Sequence, residues 1–337
     1  MKKPQKYRAH ILVIRLSALG DVAILQPILK ARAEANSDVL FTIAAPPLLQ
    51  PLFEGIDNVR FLGINKRQSV CKLFAQLKAV EPTLVADMHW VNRVIGVDML
   101  FCLNGIKVRH IKKNRQARKA LTRQHNKRTE PLKPSWKRYD EVFDACGLNP
   151  ANPLLTQQST NYWTANDSQS DGHRRIGIAP FAQHAGKVWP HENTKKLIEI
   201  LASDKQNEIL LFGSKDEATK LEDWASAFEN VRSVAGKQSF ADELRLIASL
   251  NIMVSMDSAN MHFASCMSIP VVSVWGATHP AGGFKGWRQD PRWSMQADLP
   301  CRPCSMYGKK PCLYGDYRCL HAIKPEDVAT MVKSIIC

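Results

Sequence analysis

A chain of 337 residues with 45% hydrophobic composition is long enough for two cores of ordinary domain size. Nine cysteines argue for reduced thiols or metal ligands rather than a disulfide framework, because the polar start Met1-Lys-Lys-Pro-Gln-Lys-Tyr-Arg lacks the order of a signal peptide. No run approaches the roughly 18 to 20 apolar residues that cross a bilayer, so the expected location is cytoplasmic, with any membrane contact peripheral.

Ile11–Leu16, Val39–Ala44, Val59–Leu62 and Leu84–Asp87 read as strands. Between them Val22–Arg32, Ser69–Ala79 and Val91–Leu103 carry apolar residues at helical spacing. That alternation predicts a parallel sheet covered by helices. A polar segment from Asn149 to Arg174, with two Asn-Pro steps and a run of Gln, Ser, Thr, Asn and Asp, breaks the rhythm and reads as a linker. The alternation restarts with strands at Ile176–Ala179, Glu208–Phe212, Val231–Val234, Ile252–Ser255 and Val271–Trp275. Helices are expected from Glu192, Glu217, Phe240 and Ala259. The predicted class is α/β, with a Rossmann-like domain over 1–150, a linker over 151–174, a second Rossmann-like domain over 175–323 facing the first across a cleft, and a C-terminal helix over 324–337.

In an open parallel sheet, ligands bind beyond the carboxyl ends of the strands, which directs attention to three loops. The first, Arg15-Leu-Ser17-Ala-Leu-Gly20-Asp21, is neither a dinucleotide fingerprint nor a P-loop. Nucleotide-sugar epimerases, dehydrogenases and P-loop ATPases lose ground on that account. Asp21 reads either as a carboxylate able to take a proton from an attacking hydroxyl or as a helix N-cap. The second loop, Ala179 to Pro190, offers Lys187 as a phosphate-neutralising cation or as a solvated loop lysine. The third, Ser255-Met-Asp257-Ser258-Ala259-Asn260-Met-His262, opens a helix. Its first N–H groups suit a diphosphate, and the alternative is an ordinary cap at Asp257 or Ser258.

Together these loops resemble the glycosyltransferase family that contains the lipopolysaccharide heptosyltransferases, whose two-domain fold is called GT-B. The likeness runs from His10 to about Val332. It is carried by Ser17-Ala-Leu-Gly20-Asp21, Ile176-Gly-Ile-Ala-Pro with Lys187-Val-Trp-Pro190, Phe212-Gly213-Ser-Lys-Asp-Glu217, Val254-Ser-Met-Asp257-Ser-Ala-Asn-Met-His262, and Pro270-Val-Val-Ser-Val-Trp-Gly276-Ala-Thr278-His-Pro280. The resemblance implies an inverting transfer without metal or other cofactor, from a nucleotide sugar, ADP-heptose above all, to a lipopolysaccharide-core glycolipid. It implies Asp21 as general base and Lys187 as stabiliser of the departing diphosphate, with Glu217 on the nucleotide ribose. Asp257, Ser258, Ala259, Asn260, His262 and Thr278 would fall in the donor site, and Arg15 and Ser17 on the acceptor side. The C-terminal helix would cross back to the first half. Ala182-Gln183, where relatives commonly carry paired hydroxyl residues, and Ala259, where a glycine often stands, depart from the family pattern.

The formal charge of +15 is uneven: Lys107 to Arg138 carries thirteen Lys or Arg against one acid, Glu130. A nucleic-acid site would interleave aromatics with these cations, and only Trp136 does so. With the resemblance in place, this block is expected on the acceptor-binding half, docking an anionic inner-membrane leaflet and gripping the acceptor. Near the C-terminus Cys301, Cys304, Cys312 and Cys319 form one close pair and two separate thiols. A zinc site usually shows two close pairs, so free thiols or an oxidisable pair are expected over a structural zinc.

Overall fold

The computed structural model describes residues 7–65, 67–128, 130–151 and 172–336. Most of the predicted linker over 151–174 lies outside them. The chain divides into two compact units, one within Met1–Lys113 and Ser135–Thr160, the other within Asn114–Pro134 and Asn161–Cys337.

The first unit runs β1 (Ala9–Ile14), α1 (Leu19–Glu34), β2 (Val39–Ala45), β3 (Val59–Gly63), α2 (Val70–Lys78), β4 (Leu84–Asp87), α3 (Asn92–Leu103) and β5 (Lys107–His110). After α4 (Arg115–Leu121), which belongs to the second unit, α5 (Ser135–Ala145) returns to the first. Its sheet is parallel in the order β3-β2-β1-β4-β5. Ile11 to Ile14 are buried, as expected of a central strand covered on both faces. β5 had no apolar run to announce it: it is a charged edge strand in which only Val108 is apolar, and charge on an edge discourages pairing with another chain. α1 is buried along most of its length, and its Arg32 is 1% exposed. The guanidinium lies 2.6 Å from Asp140 and from Asp144 on α5 and donates to the Asn149 carbonyl at 2.9 Å, fastening the two helices.

The second unit continues β6 (Arg174–Ala179), α6 (His191–Ala202), β7 (Asn207–Leu211), α7 (Ala218–Ala225), β8 (Val231–Ser233), α8 (Phe240–Ala248), β9 (Ile252–Met256), α9 (Ala259–Cys266), β10 (Val271–Trp275), β11 (Ser294–Gln296), α10 (Arg318–His321) and α11 (Pro325–Ile336). The parallel sheet has the order β11-β10-β9-β6-β7-β8.

One boundary expectation needs correction. Residues 114–134 belong to the second unit although they precede most of it in sequence: Leu132 N–H donates to the Ala281 carbonyl at 2.8 Å, and Arg118 donates to the Tyr307 hydroxyl at 2.7 Å and lies over the Phe284 ring. The basic block is therefore not one surface of an N-terminal domain. It is divided between an edge strand, a segment of the other unit, and α5, where Arg138 is buried and donates to Ser135 Oγ at 2.8 Å. The C-terminal helix α11 belongs to the second unit. Val328, Ala329 and Val332 of α11 pack into the second core against α6, because their apolar stripe matches that helix. Among the described residues, no helix is long and apolar enough to cross a membrane.

Replacing Arg32 by Met should lower the stability of the first unit by about 1 kcal/mol, since it removes the donor shared by the half-exposed Asp140, the exposed Asp144 and the Asn149 carbonyl, all of which water can then reach. Urea unfolding followed by near-UV signals checks this; a loss below about 0.5 kcal/mol would show that the Arg32 network is not what joins α1 to α5.

Candidate active site

In the second unit the first strand, β6, pairs with β7 on one side and β9 on the other. The connections after β6 and β9 consequently leave in opposite directions, opening the crevice where ligands bind in such sheets. Here Lys187, from the loop after β6, lies 2.8 Å from Asp257, immediately after β9. Their side chains are 16% and 5% exposed, so Lys187 is not a solvated loop lysine. The loop carrying it is firmly built. Trp189 is fully buried and donates through Nε1 to the Ile323 carbonyl at 3.2 Å, while the Gly186 carbonyl accepts the Ala277 N–H at 2.8 Å. A Cβ on Gly186 would sit 2.9 Å from that of Ala277, a separation that only glycine tolerates.

Ser258 occupies the N-cap of α9, but its hydroxyl faces Ser255 Oγ at 3.1 Å and makes no capping hydrogen bond. The helix start around Ala259 and Asn260 thus presents N–H groups that neither Ser258 nor the ion-paired Asp257 caps. His262 is buried one turn along. Thr278, after β10, is 2% exposed, and its Oγ1 has no hydrogen-bond partner among the described residues. Its loop is held by buried Arg302, which donates to the carbonyls of Gly276 at 2.6 Å and of Trp275 and Thr278 at 3.0 Å. Glu217 accepts the Ser214 N–H at 2.7 Å and lines a cavity of about 530 Å³ with Phe181, Pro190, His191, Lys220 and Tyr317. Burial and the neighbouring Lys220, 3.0 Å away, hold the His191 imidazole below its usual range.

The first unit repeats this plan. β1 pairs with β2 and β4, and the loops after β1 and β4 meet. Asp21 is not the N-cap of α1; that position is Ala18, whose N–H donates to Asp21 Oδ2 at 3.4 Å. The same oxygen pairs with Arg15, and the Asp21 side chain keeps 23% of its surface exposed. Arg15 is itself buried, donating to the Met88 carbonyl at 2.6 Å and lying over the Tyr139 ring. It stands as the partner of Asp21 rather than as an exposed hand for a ligand. Ser17 Oγ lies 3.1 Å from His89 Nε2.

Sequence reasoning passed over Asp87, His89, Asp98 and Arg302. Asp87 was accessible to it as the last residue of a predicted strand, the position from which ligands are reached in such sheets. It is fully buried and accepts the N–H groups of His89 at 2.7 Å and Trp90 at 2.9 Å. Asp98, on α3, hydrogen-bonds to it. Burial pushes both carboxyls up, and the charge of Asp87 helps take Asp98 to about 9. Burial chiefly pushes the Cys319 thiol up to about 11, with Arg302 opposing the rise and Cys304, Cys301 and Cys312 adding to it. Among the described residues, no three His, Cys, Asp or Glu side chains are arranged to hold a metal.

Comparison with known proteins agrees with this geometry. The chain is similar to lipopolysaccharide heptosyltransferase 1 of Pseudomonas aeruginosa, 24% identical over 97% of this chain and 98% of that relative. It superposes on the glycosyltransferase family 9 structure from Veillonella parvula with a TM-score of 0.72 at 15% identity, covering 98% of each chain. E. coli heptosyltransferase WaaC with ADP-2-deoxy-2-fluoro heptose gives a TM-score of 0.66 at 18% identity, covering 96% of this chain and 99% of that one. Two parallel α/β units of this kind define a GT-B fold, and the protein is a glycosyltransferase. The model of glycosyltransferase family 9 (heptosyltransferase) matches residues 72–314, and the chain belongs to that family.

The shared proton of Asp98 and Asp87 carries a stability consequence. A carboxyl raised in the folded state contributes stability that is full below its unfolded value near 3.9 and lost as pH rises through about 9. Asp98→Asn should therefore show a shallower decline of unfolding free energy between pH 5 and pH 9 than the native chain in parallel urea titrations. Equal slopes would mean that Asp98 is ionised in the folded protein.

Proposed function

We propose that this protein transfers heptose from ADP-heptose to the core of a lipopolysaccharide-type glycolipid, with inversion at the anomeric carbon. The observation that carries the reading is the Lys187–Asp257 pair at the crevice of the second sheet, beside the uncapped start of α9. A cation held by a buried carboxylate next to oriented N–H groups suits a diphosphate whose negative charge grows as the glycosidic bond breaks. The choice of donor is supported by the ADP-heptose analogue bound to the E. coli neighbour and by the heptosyltransferase relatives.

In this scheme the acceptor hydroxyl loses its proton to the Asp21 carboxylate as its oxygen attacks the anomeric carbon, and the bond to the diphosphate breaks with its electron pair leaving on ADP. Arg15 orients Asp21, and Ser17, set by His89, contacts the acceptor. Lys187 and the N–H groups at Ala259 and Asn260 take up the charge on the leaving diphosphate. The nucleoside occupies the cavity lined by Phe181, Pro190 and Glu217, with Glu217 on the ribose. Buried His262 and Thr278 complete the donor side.

ADP at a hundred times its dissociation constant should stabilise the protein by about 2.7 kcal/mol, more than GDP, UDP, CMP or NAD, and Lys187→Ala should remove most of that gain. Asp21→Asn should keep the ADP response while losing about 10²- to 10⁴-fold in transfer rate. Stabilisation by nucleic acid and by none of these nucleotides would end the transferase scheme.

Peripheral attachment to an anionic cytoplasmic leaflet belongs to the same proposal. Lys119, Arg123, Lys309 and Lys310 are exposed on the second unit, as are the side chains of Tyr307, Leu313 and Tyr314. Of these, Arg123, Lys310, Leu313 and Tyr314 line one cavity of about 250 Å³. Cations beside amphipathic aromatics suit a headgroup layer, where each cation is worth roughly 1 kcal/mol. Reversing all four charges should abolish sedimentation with vesicles rich in anionic lipid at low salt; unchanged binding would rule this surface out.

A further inference from the structure

The buried carboxyl pair beneath the first-unit crevice has no role in the transfer scheme. Asp87 closes β4 and gathers the turn that follows it, accepting the N–H groups of both His89 and Trp90. That turn makes two contacts with the loop after β1: the Met88 carbonyl receives Arg15 at 2.6 Å, and His89 Nε2 meets Ser17 at 3.1 Å. Arg15 in turn pairs with Asp21. The turn that Asp87 holds is therefore one residue removed from the candidate base.

Asp87 is held from below by Asp98, a buried residue of α3. Two carboxyl groups in hydrogen-bond contact share a proton, because both cannot ionise at that separation in an apolar surrounding. The proton resides on Asp98: Asp87 has two backbone donors and the nearby charge of Arg15 to favour its anion, whereas burial and the charge of Asp87 both disfavour an anion on Asp98. The α2 residues packed around this helix, Leu73, Phe74 and Leu77, are apolar, and on the β5 side His110 stacks on Trp90 with ring centroids 4.4 Å apart.

We propose that Asp98 is a positioning residue for Asp21: as a neutral acid it donates to Asp87, and the 88–90 turn so held keeps Arg15 and Ser17 in register against Asp21. The proposal rests on the transferase scheme for its kinetic consequence but not for its structural one. Losing the donor lets the turn drift, and displacements of about 1 Å at a base cost on the order of 10²-fold in rate.

The test uses the full chain with Asp98→Ala and Asp98→Asn, the amide retaining a donor that cannot ionise. Kinetics with ADP-heptose and the glycolipid acceptor should show Asp98→Ala losing about tenfold to a hundredfold in kcat with unchanged stabilisation by ADP, and Asp98→Asn recovering most of that loss. The native enzyme should lose kcat as pH rises through about 9, and Asp98→Asn should lack that alkaline limb. In parallel, the His89 Nε2 resonance in nitrogen NMR should move in Asp98→Ala and stay in Asp98→Asn. A native-like kcat in Asp98→Ala, a kcat in Asp98→Asn as low as in Asp98→Ala, or an unmoved His89 resonance overturns the proposal. Should Asp98→Ala fail to fold, an alkaline limb retained in Asp98→Asn overturns it. If the native chain transfers no sugar, the scheme of the preceding subsection falls, and the His89 resonance in the two variants still decides whether Asp98 holds the turn.

Discussion

The handedness of strand–helix–strand crossovers is the constraint on which this molecule depends. A parallel sheet whose first strand lies in its middle must send successive connections to opposite sides, and the loops that part there leave a crevice at the carboxyl ends of two neighbouring strands. Both units have this arrangement, at β1 beside β4 and at β6 beside β9. Each crevice is spanned by a cation from the first loop, Arg15 buried and Lys187 largely so. Arg15 reaches the Met88 carbonyl from one sheet, and Lys187 reaches Asp257 from the other. The topology brings the loops together, and charge pairing in a poorly solvated place gives them a defined geometry.

Each crevice uses its buried charge differently. Lys187 meets a carboxylate directly, so the cation stays oriented beside helix N–H groups, as charge developing on a diphosphate requires. Arg15 divides its donors between Asp21 and a backbone carbonyl, and the turn offering that carbonyl is itself held by Asp87. The first crevice therefore depends on a further layer of buried acid, where one proton shared by Asp87 and Asp98 replaces a costly pair of buried charges.

Much of the fold was legible in the sequence because its strands are short apolar runs and its helices keep a regular apolar period. The central strands and the helices between them matched their predicted spans to within a few residues. The three candidate loops stood out because each directly follows such a run. β5 escaped because an edge strand needs no apolar face, so its Lys-Val-Arg-His sequence looks like any charged loop. Asp98 escaped because a single acid among Val94, Val97 and Phe101 of an apolar helix acquires meaning only once Asp87 is known to lie against it.

The sequence by itself determined the class of fold, the family, and the candidate loops with Asp21, Lys187 and Asp257, since these follow from local periodicity and from motifs adjacent in the chain. Only the tertiary structure decided that residues 114–134 belong to the second unit, that α11 packs on α6, that Lys187 is ion-paired, and that Arg15 serves Asp21. The physical reason is sequence separation. Lys187 and Asp257 lie seventy positions apart, Leu132 and Ala281 about twice that, and no local preference records which distant group will satisfy a buried charge or an unpaired N–H.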